Sequence, residues 1–398
     1  MRLLFVHDRF GAMGGAEVNI QLTARELRER GHSIALAHGP GTGRGEPAWR
    51  KLFPITFPLD SGANALAQAL HEFEPESIYV HKLADLAVIG ALATGRLPVA
   101  RMVHDHDLYC LRSYKYFPLT RTICNHGAGL RCIFPCAGML ARNGAGGLPF
   151  RWRSYLDKQR ELALNRRFRR MIVATEYMKE QLLKNGFRAS QIEIHSPVPR
   201  DDVSAPRSRF SPRNRIVYAG QIIRGKGVDI LLESLARMRL PFECVILGDG
   251  SHRAYCERLR DRLGLGSRVH FTGYVPQEEI SSYYADASVA AVSSVWPEPF
   301  GAVGLEAMRH GVPVVAFDAG GIREWLFEGV NGFLVPWMDR NRFAARIEQL
   351  LQDKALARAL GERGRQIALE KFGFDQYISG LEQMFQRLCI ESAEPVLE

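Results

Sequence analysis

Long apolar runs are missing from this sequence. No stretch reaches the roughly 20 apolar residues that a membrane-crossing helix needs. The apolar opening meets His7 and Asp8 too early for a secretory leader. Low-complexity blocks and short repeats are missing too, which sets aside tract-like and repeat architectures. Cysteine is sparse, with seven residues in 398. An odd count without a leader argues for a reducing compartment rather than a disulfide framework. No strand is followed by G-x-G-x-x-G and an acidic residue about 20 positions on, which counts against a dinucleotide dehydrogenase. These absences predict a cytoplasmic protein, peripheral at most to the inner face of a membrane.

What remains is an ordinary globular mixture, 46% hydrophobic and 24% charged. The length suits two domains better than one core. Basic residues outnumber acidic ones, 52 to 43, for a net charge of +9. That balance suits nucleic acid, an anionic lipid surface or phosphorylated ligands, and charge alone does not choose among them.

Short strands are predicted at 3–7, 33–37, 77–81, 99–104, 171–175 and 192–195. A glycine-rich turn at 11–15 leads into a helix over 17–30. The stretch 197–215, rich in Pro, Ser, Asp and Arg, reads as a linker. The pattern then restarts with a strand at 215–219, a turn at 220–227, a helix over 228–238 and a strand at 242–247. Strands at 269–272, 287–292 and 313–317 follow. Alternating strands and helices predict an α/β protein with two Rossmann-like, doubly wound domains facing a central cleft. The expected domains are 1–196, with a cysteine-containing insert at 110–150, and 197–375. A C-terminal helix within 376–398 is expected to return to the first domain.

Ligands of such sheets bind at the carboxyl ends of the strands. The most specific loop is Glu298-Pro299-Phe300-Gly301-Ala302-Val303-Gly304-Leu305-Glu306, two carboxylates separated by seven residues. Its helix aims free N–H groups at the cleft, where they favour an anion. Gly220-Gln221-Ile222-Ile223-Arg224-Gly225-Lys226-Gly227 has the glycine–lysine spacing of a P-loop. Gly227, however, stands where a Ser or Thr would bind magnesium, so an ATPase reading fails. His104-Asp105-His106-Asp107 ends the strand at 99–104. Other turns are Gly14-Gly15-Ala16-Glu17, Arg30-Gly31-His32, Gly248-Asp249-Gly250 and Gly273-Tyr274-Val275-Pro276. Two more are Gly320-Gly321-Ile322-Arg323-Glu324 and Asn331-Gly332-Phe333-Leu334-Val335-Pro336.

Together and in this order, these segments resemble the family-four retaining glycosyltransferases, group 1 enzymes of the GT-B fold with an E-x7-E motif. The resemblance spans nearly the whole chain. It implies a hexosyltransferase that takes a UDP- or GDP-sugar, needs no metal or other cofactor, and retains the donor's anomeric configuration. The implied acceptor is a saccharide or a polyprenyl-diphosphate-linked molecule of surface polysaccharide or glycolipid synthesis, with no nucleic acid involved. Glu298 would hold donor-sugar hydroxyls, Glu306 the ribose, and Tyr274 and Val275 the base. Phe300, Gly301 and Ala302 would face sugar and diphosphate, and Gly14, Gly15, Gly220 and Gly248 would line the donor. Lys226 would neutralise the diphosphate. Gln221 stands where the family carries an arginine, and Arg224 is expected to supply that charge. His104, with Cys110 six residues on, would contact the sugar.

Asp105-His106-Asp107 also reads as the Asp-x-Asp metal motif of the other large glycosyltransferase fold, but that fold lacks a second Rossmann-like domain bearing E-x7-E, so the match is accidental. Two features stay open. Cys110, Cys124, Cys132 and Cys136 form either a zinc site or a structural cluster. Arg151-Trp152-Arg153-Ser154-Tyr155-Leu156 and Arg166-Arg167-Phe168-Arg169-Arg170 predict a basic helical region dotted with aromatics. That region suits anionic lipid, nucleic acid or plain solvent. The competing functions are a nucleotide-sugar epimerase, a phosphorylase, which lacks a context for a pyridoxal lysine, and a non-enzymatic polyanion or nucleic-acid binder.

Overall fold

The computed structural model describes residues 1–11, 14–142, 150–200 and 206–393. Parts of four expectations lie outside them: 12–13 of the first turn, 143–149 of the insert, 201–205 of the linker and 394–398 of the C-terminal segment. The chain divides into two compact units. The first comprises Met1–Lys115, Asn125–Pro199 and Phe374–Glu398, and the second Tyr116–Cys124 and Arg200–Gly373. Tyr116–Cys124 thus departs from the predicted insert of the first domain and folds with the second unit.

In the first unit the strands are β1 (Arg2–His7), β2 (Ser33–His38), β3 (Thr56–Pro58), β4 (Ser77–Val80) and β5 (Val99–Met102). They continue with β6 (Leu140–Arg142), β7 (Phe150–Trp152), β8 (Arg170–Val173) and β9 (Ile192–Ile194). Seven form one sheet in the order β3-β2-β1-β4-β5-β8-β9, and its pairings are parallel. Leu3, Leu4, Phe5 and Val6 are all buried, as expected of a central parallel strand covered on both faces. β6 and β7 pair separately, antiparallel.

Helix Gly15–Glu29 stops by a glycine mechanism. Gly31 takes φ 89°, the Gly31 N–H donates to Arg28 O, and the His32 N–H donates to Leu27 O. This Schellman closure satisfies the last helical carbonyls. It also points Arg30 and His32 at helix Phe374–Ala393. Arg30 binds Ser379 at 2.9 Å and Glu382 at 3.3 Å, and His32 Nε2 meets Glu382 at 2.7 Å. Asn19 donates to Tyr377 at 3.0 Å, and Phe385 packs edge-on to Tyr79.

The second unit holds β10 (Arg215–Ala219), β11 (Glu243–Leu247), β12 (Val269–Gly273), β13 (Val289–Val292), β14 (Val314–Phe317) and β15 (Gly332–Val335). Their order is β12-β11-β10-β13-β14-β15, all parallel. Ile216, Tyr218, Leu231, Leu232, Phe317 and Phe343 build its core. The chain reverses its winding between β10 and β13, so their carboxyl-end loops open a crevice within this unit.

The expected basic, aromatic helical region forms only in part. Tyr155 and Leu156 open helix Tyr155–Asn165, but Trp152 ends β7 and Arg170 begins β8, Phe168 is buried, and Arg170 pairs with Glu193 and Glu391. The reason is that the chain must turn at Asn165–Phe168 to enter β8. Trp152 and Leu156 alone among the named apolar residues stay largely exposed.

Phe385 is fully buried on helix Phe374–Ala393, whereas Ile390 on the same helix is exposed. Phe385→Ala should therefore cost about 3–5 kcal/mol by cavity formation, and Ile390→Ala less than about 0.5 kcal/mol. Urea unfolding of the two variants checks this. Equal effects would mean the helix is not docked through Phe385.

Candidate functional site

In the second unit the site is built on two loops. The first leaves β10 at Gly220, forms a short 3-10 turn at Arg224–Lys226, and enters helix Val228–Leu235 through Gly227. The second leaves β13, passes Glu298, and enters helix Ala302–Arg309 through Gly301. β10 and β13 are neighbours, so residues 72 apart in sequence meet. Lys226 Nζ lies 2.7 and 2.9 Å from the two carboxylate oxygens of Glu298. Ser294 Oγ also donates to Glu298 Oε1, and the Lys226 ammonium sits 5.1 Å from the Trp296 ring centre. Glu298 is only 3% exposed, and a carboxylate so buried needs both compensation and hydrogen bonds.

The pair is not saturated. A carboxylate offers about four acceptor directions and an ammonium three protons. The contacts to Lys226 and Ser294 fill three of the former, and the contacts to Glu298 fill two of the latter. One acceptor direction and one proton are left without a partner among the described residues.

Gly301 caps helix Ala302–Arg309 at φ 82° and makes no side-chain hydrogen bond to its first N–H groups. Those amides are available to an anion. Trp325 Nε1 donates to Phe300 O at 2.7 Å and pins the turn. Gly248 lets two loops touch, since a Cβ there would lie 2.0 Å from Gly220 O. Tyr274 is largely exposed beyond β12 and Val275 is half-buried. Glu306, half-buried on its helix, adds to burial in raising the Tyr284 hydroxyl well above its usual range. Gln221 is exposed, and Arg224 donates instead to Pro118 O.

The remaining predicted residues belong to the first unit. Gly14 is the N-cap of helix Gly15–Glu29, and Gly15 is its first residue. His104 follows β5, with its Nε2 3.0 Å from His81 Nδ1. Beside it opens a cavity of about 560 Å³ whose lining includes His81, Lys82, His104, Asp107, Trp152 and Lys158. Its charges are matched. Lys82 pairs with Asp105 at 2.5 Å and Asp107 at 3.4 Å, and Lys158 pairs with Glu161 at 2.5 Å. Burial alone would lower the Lys82 ammonium, but the two aspartates raise it. The Asp-x-Asp carboxylates are thus engaged by a lysine. Cys124 folds with the second unit, while Cys110, Cys132 and Cys136 fold with the first. Among the described residues no group of three or more His, Cys, Asp or Glu could hold a metal ion.

Sequence reading missed Ser294, Trp296, Lys82 and the pair formed by Arg121 and Asp229. The Trp296-Pro297 step just before Glu298 was the available signal for the first two.

Residues 13–198 match Glycosyltransferase Family 4, and residues 200–367 match Glycosyl transferases group 1. The chain belongs to this family of glycosyltransferases. It is 33% identical over 157 residues to the lipopolysaccharide core biosynthesis glycosyltransferase LpsE of Rhizobium meliloti, covering 39% of this chain and 45% of that one. It is 26% identical over 331 residues to the GDP-mannose-dependent alpha-(1-6)-phosphatidylinositol monomannoside mannosyltransferase of Mycolicibacterium smegmatis, covering 80% and 78%. The chain spans less than half the length of the first two curated relatives it matches, 41% and 45%. In fold it resembles HepE from Anabaena, solved in complex with UDP, with a TM-score of 0.74 at 21% identity over 97% of this chain and 100% of that one. The two parallel α/β units are those of the GT-B fold.

Burial, reinforced by the Lys82 charge, lowers the His104 imidazole to about 3 from 6.5. Burial and His104 likewise hold His81 well below its usual value. Burial would raise Glu17, but the His7 imidazole 3.6 Å away helps bring it to about 2 from 4.5. All three folded values lie below the unfolded ones, so stability present at neutral pH is lost on acidification. The histidine part goes from pH 6.5 downward and the Glu17 part from 4.5. Unfolding free energy should fall by roughly 2–4 kcal/mol between pH 7 and pH 5, and His104→Gln should remove about half of that slope. Urea titrations at the two pH values check it.

Proposed function

We propose that the chain is a retaining hexosyltransferase. It moves a sugar from a UDP- or GDP-sugar held by the second unit to a saccharide or polyprenyl-diphosphate-linked acceptor. The observation that carries the reading is the buried Lys226–Glu298 pair beside the open N-terminus of helix Ala302–Arg309. The pair's spare acceptor suits a sugar hydroxyl, and its spare proton, with the helix amides, suits a diphosphate. Glu306, eight residues on from Glu298, is the ribose partner, and Tyr274 and Val275 flank the base.

In this reading the anomeric carbon–oxygen bond to the diphosphate breaks, and the bond to the acceptor oxygen forms on the same face. The acceptor proton passes to the departing phosphate oxygen. Lys226 and the helix amides stabilise the charge that grows on the leaving group, the largest single source of acceleration in such sites. These fixed positive groups supply what magnesium supplies elsewhere, so activity should persist in chelator. In the first unit, the matched charges of the cavity suit a neutral polyhydroxylated acceptor, and the exposed Trp152 offers it a flat face. Peripheral attachment to an anionic inner membrane surface rests on the net charge of +9 and on the exposed Trp152 and Leu156. No helix of the described residues is long and apolar enough to cross a membrane. The names of relatives, a lipopolysaccharide core enzyme and a mannosyltransferase acting on a phosphatidylinositol mannoside, support a role in surface polysaccharide or glycolipid synthesis. They do not favour the epimerase or the polyanion binder.

Incubation with UDP- and GDP-sugars in EDTA, followed by NMR of the anomeric coupling, tests the reading. The expected first product is an α-glycoside from an α-linked donor, and a β-linked product overturns the same-face mechanism.

Lys226→Ala removes the cation beside Glu298 and the charge facing the diphosphate. Turnover should fall about 10²–10³-fold, read as nucleoside diphosphate release. Near wild-type turnover would remove Lys226 from the chemistry.

A further inference from the structure

Tyr116–Cys124 is a stretch of chain that the proposed reaction does not use. It folds with the second unit as a tight hairpin. Tyr116 pairs antiparallel with Ile123, the Phe117 N–H donates to Thr122 O at 2.9 Å, and the Arg121 N–H donates to Phe117 O at 2.8 Å. Arg121 takes φ 62°, a left-handed conformation that costs a non-glycine residue energy and recurs at functional positions.

Three contacts place the hairpin on the turn that carries Lys226. Both terminal nitrogens of Arg121 bind the two carboxylate oxygens of Asp229, at 3.1 and 2.5 Å. Asp229 lies in the first turn of helix Val228–Leu235, three residues past Lys226, and both partners are buried. Pro118 O accepts from Arg224. Tyr116 and Trp296 close on Gly225, where a Cβ would stand 3.4 Å from the Tyr116 ring and 3.2 Å from Trp296 Cβ.

We propose that Arg121 is a positioning residue of the donor site: anchored on Asp229, its hairpin fixes the Arg224–Lys226 turn so that Lys226 faces Glu298 and the diphosphate. This rests on the second unit being the donor-binding one. A buried ion pair is a poor way to gain stability, because both charges lose water. Its bidentate geometry is a good way to fix one loop against another. An apolar contact would hold the hairpin but not its register, and register decides where the Lys226 ammonium stands.

The experiment measures UDP and GDP binding by calorimetry on the full chain, with urea unfolding alongside. Arg121→Ala should weaken nucleotide binding about tenfold or more and lower the unfolding midpoint. Adding Asp229→Asn removes the stranded carboxylate, so Arg121→Ala/Asp229→Asn should regain the midpoint while nucleotide binding stays weak. Arg121→Lys, which keeps a cation on Asp229 without the fork, should bind with intermediate affinity. Recovery of both midpoint and binding in the double variant would show that Arg121 merely neutralises Asp229, and the proposal would fall. Unchanged binding by Arg121→Ala overturns it as well. If Arg121→Ala does not fold, the double variant decides on the same terms. Absence of UDP and GDP binding by the wild-type chain overturns this proposal and the donor reading together, which tells the two failures apart.

Discussion

A buried carboxylate sets the terms for the second unit. Glu298 is nearly removed from water, and an unpaired charge there would cost several kcal/mol. Its partners must therefore arrive with the fold. Lys226 comes from the loop after β10, Ser294 from the start of the loop after β13, and adjacency of those strands in the sheet brings them together. The rest of the site follows from that need. Lys226 must be held in register, which requires the Arg224–Lys226 turn. Glu298 must stand at a helix entrance, which requires the left-handed Gly301. Each element is local, but the reason for it lies in a partner far away in sequence.

The first unit answers the same constraint differently. Its polar residues around the carboxyl ends of β1, β4 and β5 are arranged in close pairs: Glu17 beside His7, Lys82 with Asp105 and Asp107, and Lys158 with Glu161. No single carboxylate dominates, and the cavity has no strong field of one sign. The two units thus present unlike chemistry on similar sheets, one suited to an anion and the other to a neutral polar molecule. A shared fold does not carry this difference; the loops do.

Much of the sheet framework was legible in the sequence because buried parallel strands leave continuous apolar runs, such as Leu3–Val6 and Val314–Phe317. Lys226 and Glu298 were legible because glycine turns mark the carboxyl ends of such strands. The short strands β3 and β15 were not, since Thr56–Pro58 ends in proline and Gly332–Val335 opens on glycine, both of which read as turn. Phe168 was misread because arginines surround it in sequence, whereas the turn into β8 sends the ring inward and the cations outward. The Tyr116–Cys124 hairpin was illegible for a deeper reason. Arg121 and Asp229 are 108 residues apart, and nothing periodic or local ties two such residues. A pairing of that kind is a fact of tertiary structure alone.

The Arg30-Gly31-His32 segment shows why a motif should not be equated with a site. It was read from the sequence as part of a family pattern, and such patterns invite chemical interpretation. Its glycine closes a helix, and its two cationic or polar side chains hold helix Phe374–Ala393 through Glu382. Glu382 in turn is held below its usual range by the hydrogen bond from His32, with burial opposing and Arg30 assisting. That arrangement explains how the last helix of the chain becomes part of the unit that the chain began, since an end segment is ordered only where specific contacts tie it down. Motif residues and site residues then separate by a physical criterion: whether the polar groups are fully used within the protein, as at Arg30 and His32, or left with capacity to spare, as at Lys226 and Glu298.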